Sequence, residues 1–459
     1  MQTKAPGRVV GVNRERIAGV DTARGLAVLG MFVAHLGLAH HSGLLSATGW
    51  FFLADGRPSA LFAMLAGIGL VFMTRSAQDD PAQFSLQRSR IMRRALILYL
   101  LGYVLTFLGT PVAVILPSYA VLFVLAIPFL RMRIAGVLTA AVLVLAVGPP
   151  LLILSRHAIT GEAGPVTGLS FLPGLAEVWS GYYPVITWLA YILVGVAVGK
   201  MNLRSAGTGA LLLGVGTVVA AAAYGAGAWA EDAVGGTEGD ITFDLVTIEP
   251  HTNTTPEMLG NAAFGVALLG LCLLAMTLTP LRVLAAPVNA VGAMSLTIYS
   301  LHIVYIAILG PDAVWYPTSN QPLIWLIAGS LAFALVWHVT LGQGPLERLL
   351  ARVIQPAATA ASHHDPAAGD QRGPMPGDRG PTPGDRHGPT PPDQSCPAPG
   401  TQHVPNPGER PGPTPDDQRG PTPGDQRSIQ PHQDRPPAGP REPLPTDQRH
   451  FDQGQADQK

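Results

Sequence analysis

The chain has 459 residues, 13% of them charged, and its formal net charge is −1. A balance so close to neutral gives no electrostatic reason to expect nucleic acid as a partner. Two cysteines, Cys272 and Cys396, exclude a disulfide framework and argue against a thiolate metal site, so no metal is expected.

Up to about residue 356 the sequence is strongly apolar, with windows that reach or approach the ~20 residues needed to cross a bilayer. Ten spans are predicted, roughly at 20–41, 59–76, 89–109, 113–130, 134–154, 182–199, 206–228, 258–278, 286–309 and 322–341. The expected fold class is therefore all-α: a polytopic membrane helical bundle. Residues 1–18 form a cytoplasmic segment, 19–356 the transmembrane domain and 357–459 a tail. The first apolar stretch carries Asp21 and Arg24 and lacks a convincing small-residue cleavage site, so it reads as a retained span and not as a signal peptide.

Within span one, Arg24 and His35 stand eleven residues apart. That is about three turns, which puts both on one face about 16 Å apart along the axis. Asp21 falls on nearly the same stripe and pairs with Arg24 at i,i+3. Ionisable groups inside a span are costly and mark functional paths. His40 and His41 follow at the mouth of the span, with Asp55 and Arg57 in the same loop. Span three opens with Arg88, Arg90, Arg93 and Arg94, a topology signal whose guanidinium groups also suit bidentate contact with phosphate. Pro117, Pro149–Pro150 and Pro184 are expected to break or kink their spans. The loop after span seven collects Glu231, Asp232, Glu238, Asp240, Asp244, Glu249 and Glu257 without calcium-loop spacing, and reads as solvated.

Asn261 and Asn289 read as interhelical hydrogen-bonding groups. Span nine carries Ser295, Thr297, Tyr299, Ser300 and His302, and places His302 at a depth comparable with His35, so the two can face one cavity. His338 lies towards the other end of its span. Pro345–Arg352 reads as a short amphipathic surface helix. Beyond it, units such as Arg379-Gly-Pro-Thr-Pro-Gly-Asp385 and Arg419-Gly-Pro-Thr-Pro-Gly-Asp425 recur. Pro/Gly-rich sequence poor in aromatics cannot bury a core, so the tail is expected to be disordered.

Charge fixes an orientation. With the N-terminus in the cytoplasm, Arg14, Arg16, Arg75, the Arg88–Arg94 cluster, Arg131, Arg133, Lys200, Arg204, Arg282, Arg348 and Arg352 are inside, and only Arg57 and Arg156 are outside. The positive-inside rule favours this arrangement, with both termini cytoplasmic in a plasma membrane protein.

Imidazole is the natural general base near neutral pH and can also carry an acyl group covalently. His35, His40, His41 and His302 are the catalytic candidates. Arg24, Arg93 and Arg94 are placed to hold the phosphates of a nucleotide-bearing acyl donor, and Asp21 orients Arg24. Each of these residues also has a structural reading, as a helix-packing pair or a headgroup anchor.

Arg14-x-Arg16-Ile-x-x-Val20-Asp21-Thr-Ala-Arg24-Gly25-Leu-Ala resembles the opening of heparan-alpha-glucosaminide N-acetyltransferase and its bacterial relatives. The Arg24-x10-His35 spacing is similar to that of integral membrane acyltransferases that O-acylate surface polysaccharides, and both groups belong to one transmembrane acyltransferase superfamily. Ser59–Gly67 and Arg93-Arg94-Ala-Leu are further matches. Gly292–His302 and Gly344-Pro-Leu-Glu-Arg348 resemble the end of an uncharacterised bacterial membrane family of the same group. The resemblance spans residues 14 to about 352. It implies acetyl-CoA, or another acyl-CoA, as co-substrate bound from the cytoplasm, and acyl transfer to an outward-facing glycan or lipid. His35 matches the catalytic histidine of the polysaccharide enzymes and Arg24 its basic partner. In the glucosaminide enzyme the active histidine comes later, where His40 or His41 is nearest here, and that enzyme's Trp-Asn-Gly-like signature is missing. The partners expected are the lipid bilayer and the acceptor, with a homodimer as a possible assembly. The rival expectation is a transporter or flippase that uses Asp21, Arg24 and His35 as a polar relay; no internal repeat of the kind such folds carry is visible.

Overall fold

The computed structural model describes residues 16–38, 46, 48–161, 163–166 and 172–354. The chain divides into Met1–Ala368 and Gly369–Lys459, and every described residue lies in the first. His40, His41 and the expected tail lie outside the described residues.

Among the described residues the structure is helical, without strands. In chain order the helices are α1 (Ala18–Leu36), α2 (Arg57–Thr74), α3 (Pro81–Thr106), α4 (Leu116–Ala126), α5 (Ile134–Thr160), α6 (Val185–Gly199), α7 (Ala206–Val234), α8 (Ile241–Val246), α9 (Thr255–Ala275), α10 (Thr279–Leu284), α11 (Ala286–Ala293), α12 (Ser295–Leu309), α13 (Asp312–Trp315), α14 (Gln321–Thr340) and α15 (Pro345–Ile354). Helix forms in each segment that the apolar pattern marks out. Five of these segments are long and apolar enough to cross a membrane, six if α11 and α12 make one span bent by 87°. Pro117 and Pro184 start helices instead of breaking them: one sits in the first turn of α4, the other caps α6, where a missing N–H costs nothing. Pro149 and Pro150 remain inside α5.

α2 is apolar on all sides and buried around nearly its whole circumference, which makes it the central helix. α5, α7 and α14 bury one stripe each and expose apolar side chains such as Val142, Val218 and Val336 to the surface that lipid would cover. The acidic loop is only partly solvated, a correction to the expectation. Glu257 is buried because its carboxylate accepts from the backbone N–H groups of His251 and Asn253 and from Asn261 Nδ2. Asp244 is buried against His157 at 3.4 Å.

Helices without a hydrophobic force between them associate by close packing, and small residues permit it. Two glycine pairs do this here. A Cβ at Gly195 would overlap the carbonyl of Met64, and one at Gly67 the carbonyl of Ile192, so α2 and α6 meet backbone to backbone. A Cβ at Gly292 would overlap the carbonyl of Asp21, and one at Gly25 the carbonyl of Val288, which locks α1 to α11. Thr22 Oγ1 and Asn289 Oδ1, 2.5 Å apart, add a polar contact to the same crossing.

The chain bends sharply at Met294 between α11 and α12. A helix that starts inside a bundle has free N–H groups that need acceptors. Glu347 of α15 supplies them: Oε1 accepts from Leu296 N at 2.8 Å and Thr297 N at 3.1 Å, and Oε2 from Thr297 Oγ1 at 2.6 Å.

The glycine contact is open to a direct check. Gly292→Ala should destabilise the detergent-solubilised protein by about 3 kcal/mol, the cost of forcing two backbones apart. Gly214→Ala, where a Cβ meets open space, should be neutral or stabilising by up to ~1 kcal/mol. Equal melting of both variants would remove the α1–α11 contact from the account.

Candidate functional site

α1 carries the polar residues, and its neighbours decide what each can do. Near its C-terminal end, His35 Nδ1 lies 3.2 Å from His302 Nε2, with the two rings stacked at 5.4 Å between centroids. His302 is fully buried, while His35 is partly exposed. Its other nitrogen, Nδ1, lies 2.6 Å from the carbonyl oxygen of Tyr299. A carbonyl only accepts, so His302 Nδ1 carries the proton. In neutral His302 the Nε2 atom is then an acceptor, and His35 Nδ1–H donates to it. This leaves the lone pair of neutral His35 on Nε2. The chain Tyr299 carbonyl–His302–His35 thus fixes both tautomers, in the way that a carboxylate or carbonyl fixes a catalytic imidazole elsewhere. Phe32 and Tyr299 pack against the His302 ring, each 5.0 Å between centroids, and hold it in place.

Near the N-terminal end of α1, Arg24 Nη1 lies 3.3 Å from Asp21 Oδ1, the i,i+3 pair expected from the spacing. Arg24 stands between two cavities. One, of about 510 Å³, opens among Arg16, Asp21, Arg24, Arg75 and Arg204, which gives it four cationic side chains against one carboxylate. The other, of about 240 Å³, lies deeper; Arg24, Arg94 and Glu347 occupy its polar wall, and Phe62, Leu98, Phe123 and Tyr119 its apolar wall. It reaches Tyr299, one turn of α12 before His302.

Arg94 is distinctive within this wall. Its Nε is buried with no hydrogen-bond partner, and its Nη1 meets only the sulfur of Met73, at 3.8 Å. A buried N–H without an acceptor costs free energy until one arrives. Arg93 turns elsewhere: it is exposed, and its Nη1 donates to the carbonyl of Ile354 at 3.2 Å, holding the end of α15. His35 and His302 are brought together, Arg24 and Arg94 share a cavity, and Asp21 neutralises part of Arg24. Among the described residues no group of three or more His, Cys, Asp or Glu side chains is placed to hold a metal ion.

Sequence reasoning treated Arg16, Arg75 and Arg204 only as topology charges and read no site role into Glu347. The signal for the first three was their position at helix ends on one side of the bundle. Glu347 gave only the Gly344-Pro-Leu-Glu347 motif, since its partners Leu296 and Thr297 are 51 and 50 residues away.

Comparison with known families gives two matches. Residues 16–227 match the family described as heparan-alpha-glucosaminide N-acetyltransferase, catalytic, and residues 241–355 match a protein family of unknown function, DUF418. The first match holds α1, α2 and α3 with Arg24, His35 and Arg94; the second holds α11, α12 and α15 with His302 and Glu347. The histidine pair and the deeper cavity are therefore each assembled from both matched regions. No curated protein matches the chain.

The proton assignment predicts a spectroscopic pattern. In ¹⁵N-histidine spectra at neutral pH, His302 should show a protonated Nδ1 and an unprotonated Nε2. His302→Phe should change the tautomer balance of His35. A His35 spectrum unchanged by that substitution would contradict the hydrogen-bonded pair.

Proposed function

We propose that this chain, a heparan-alpha-glucosaminide N-acetyltransferase-like transmembrane protein by its family matches, moves an acyl group, acetyl in the first place, from cytoplasmic acyl-CoA to a hydroxyl or amine of an outward-facing glycan or lipid. The observation that supports this most is the arrangement along α1: an arginine-lined cavity towards one end, and an imidazole with a directed lone pair at the other.

In this reading the transmembrane domain covers residues 19–356, with ten spans and the Arg16, Arg75 and Arg204 end in the cytoplasm of a plasma membrane protein, as charge asymmetry favours. The phosphates of the donor lie in the wide cationic vestibule and against Arg24. Arg94, whose Nε has no hydrogen-bond partner, takes a donor oxygen. The long pantetheine arm follows the apolar wall of the deeper cavity towards Tyr299. His35 Nε2 then accepts the proton of the acceptor hydroxyl or amine as that group attacks the thioester carbonyl. The C–S bond breaks, the acyl group passes to the acceptor, and the proton leaves His35 for the departing thiolate. His302 holds the His35 ring and shares the positive charge that develops on it. Arg93 serves the site through α15, and residues 357–459 are a tail outside the chemistry.

His35→Ala should lower acyl transfer by about 10²–10⁴-fold, the usual loss of a positioned general base, while binding of acetyl-CoA persists. Arg94→Ala should instead abolish the acetyl-CoA-dependent thermal stabilisation of the purified protein, which at a hundredfold excess over Kd is about 2.7 kcal/mol in the wild type. Wild-type turnover in His35→Ala would end the mechanism. Absence of any stabilisation of wild type at saturating acetyl-CoA would return the site to a transport reading.

A further inference from the structure

The deeper cavity reaches Tyr299, and that residue joins the cavity to the histidine pair. Its carbonyl accepts from His302 Nδ1 at 2.6 Å, and His302 holds His35. Its phenol oxygen accepts the backbone N–H of Ile115 at 3.2 Å. A phenol also has one hydrogen to donate. Among the described residues no acceptor takes that hydrogen. Tyr299 is 2% exposed and lines the cavity, so a buried donor without an acceptor stands in the cavity wall. The other hydroxyls of this wall are placed differently. Tyr119 donates to the carbonyl of Ser59 at 3.3 Å. Ser295 opens α12 about two turns before His302, whereas Tyr299 precedes His302 by about one turn, roughly 4.5 Å along the axis.

We propose that Tyr299 is a catalytic residue: its hydroxyl donates a hydrogen bond to the thioester carbonyl of the acyl donor and stabilises the oxyanion that forms there. This role rests on the transferase reading above. As the acceptor hydroxyl or amine attacks, its heteroatom bonds to the carbonyl carbon, and the π electron pair of the C=O bond moves to oxygen. The acceptor's proton passes to His35 Nε2. The phenol keeps its own proton and holds the oxyanion by hydrogen bonding. When the electron pair returns, the C–S bond breaks and the sulfur takes the proton from His35.

A donor aimed at developing charge works best when it need not reorganise. Phe62 stacks on the Tyr299 ring at 6.3 Å, and the His302 ring meets it edge-on at 5.0 Å, so the phenol is held between two rings. Ile115 is the N-cap of α4, and its N–H is directed at the phenol oxygen. A hydrogen bond accepted by that oxygen polarises its O–H and makes it a stronger donor. Phe62, Leu98 and Phe123 line the same cavity, and in apolar surroundings such a bond counts for more than in water. A neutral phenol also adds no positive charge beside the imidazole, which must itself become cationic as it takes the proton.

The test uses two CoA compounds and the full chain in detergent, with no acceptor present. Acetyl-CoA carries the carbonyl oxygen; S-ethyl-CoA has the same chain length without it. Wild type should bind acetyl-CoA about fivefold more tightly than S-ethyl-CoA, the size of one neutral hydrogen bond. Tyr299→Phe should bind the two equally and keep the wild-type affinity for S-ethyl-CoA, which serves as the fold control. In infrared spectra of bound carbonyl-¹³C acetyl-CoA, the carbonyl band should lie lower in wild type than in Tyr299→Phe. A purely structural role would weaken both ligands together and leave the band in place. Equal affinities in wild type, or an unmoved band in a variant that still binds, would overturn the inference and leave the donor reading standing. The wild-type comparison decides the matter if Tyr299→Phe does not fold. No binding of either compound by wild type would overturn both.

Discussion

Everything at the candidate site depends on how closely α1 approaches the broken helix α11–α12. Gly25 and Gly292 let the two backbones touch where any side chain would hold them apart. That contact fixes the roll of α1 and so the direction of Arg24. One bend later, α12 delivers Tyr299 and His302 to the other end of the same helix. A single interface therefore sets both the cationic and the imidazole ends, and the helical rise between them sets their separation.

The break at Met294 is what makes this double contact possible. A straight helix could follow α1 or leave it, but not lock at one end and present a histidine at the other. The cost of the break is a set of unsatisfied N–H groups within the bundle, which α15 meets with the carboxylate of Glu347. α15 is in turn held by Arg93 at its far end. The amphipathic helix α15 is thus a structural part of the deeper cavity, as its Glu347 and Leu350 both line it.

Electrostatics distinguishes the two ends of the bundle. The vestibule sets four cationic groups against one carboxylate, and Arg94 Nε is left without a hydrogen-bond partner in the cavity behind it. At the C-terminal end of α3 a cleft of about 310 Å³ instead holds the buried Glu177 carboxylate and Tyr103, Tyr182 and Tyr183, with Arg156 bound to the carbonyl of Gly181 on its wall. The family matches fall on the two halves that jointly build the histidine pair and the deeper cavity, which is consistent with one site made by one domain.

The sequence by itself determined the helical class, the placement of the helical segments and the pairing of Asp21 with Arg24. Each follows from local physics: apolar runs long enough for a membrane, and side chains three or four residues apart on one helix. It also offered His35 and His302 as two imidazoles able to face one cavity, from the positions of each within its own apolar run. Only the tertiary structure decided that these two imidazoles touch, that Arg94 enters the cavity while Arg93 ties down α15, that Pro117 and Pro184 open helices, and that Glu347 closes the break in α12. Those outcomes turn on the roll of each helix and on contacts between residues far apart in the chain. The periodicity of a helix that is apolar on nearly every side does not specify its roll; only the packing of its neighbours does.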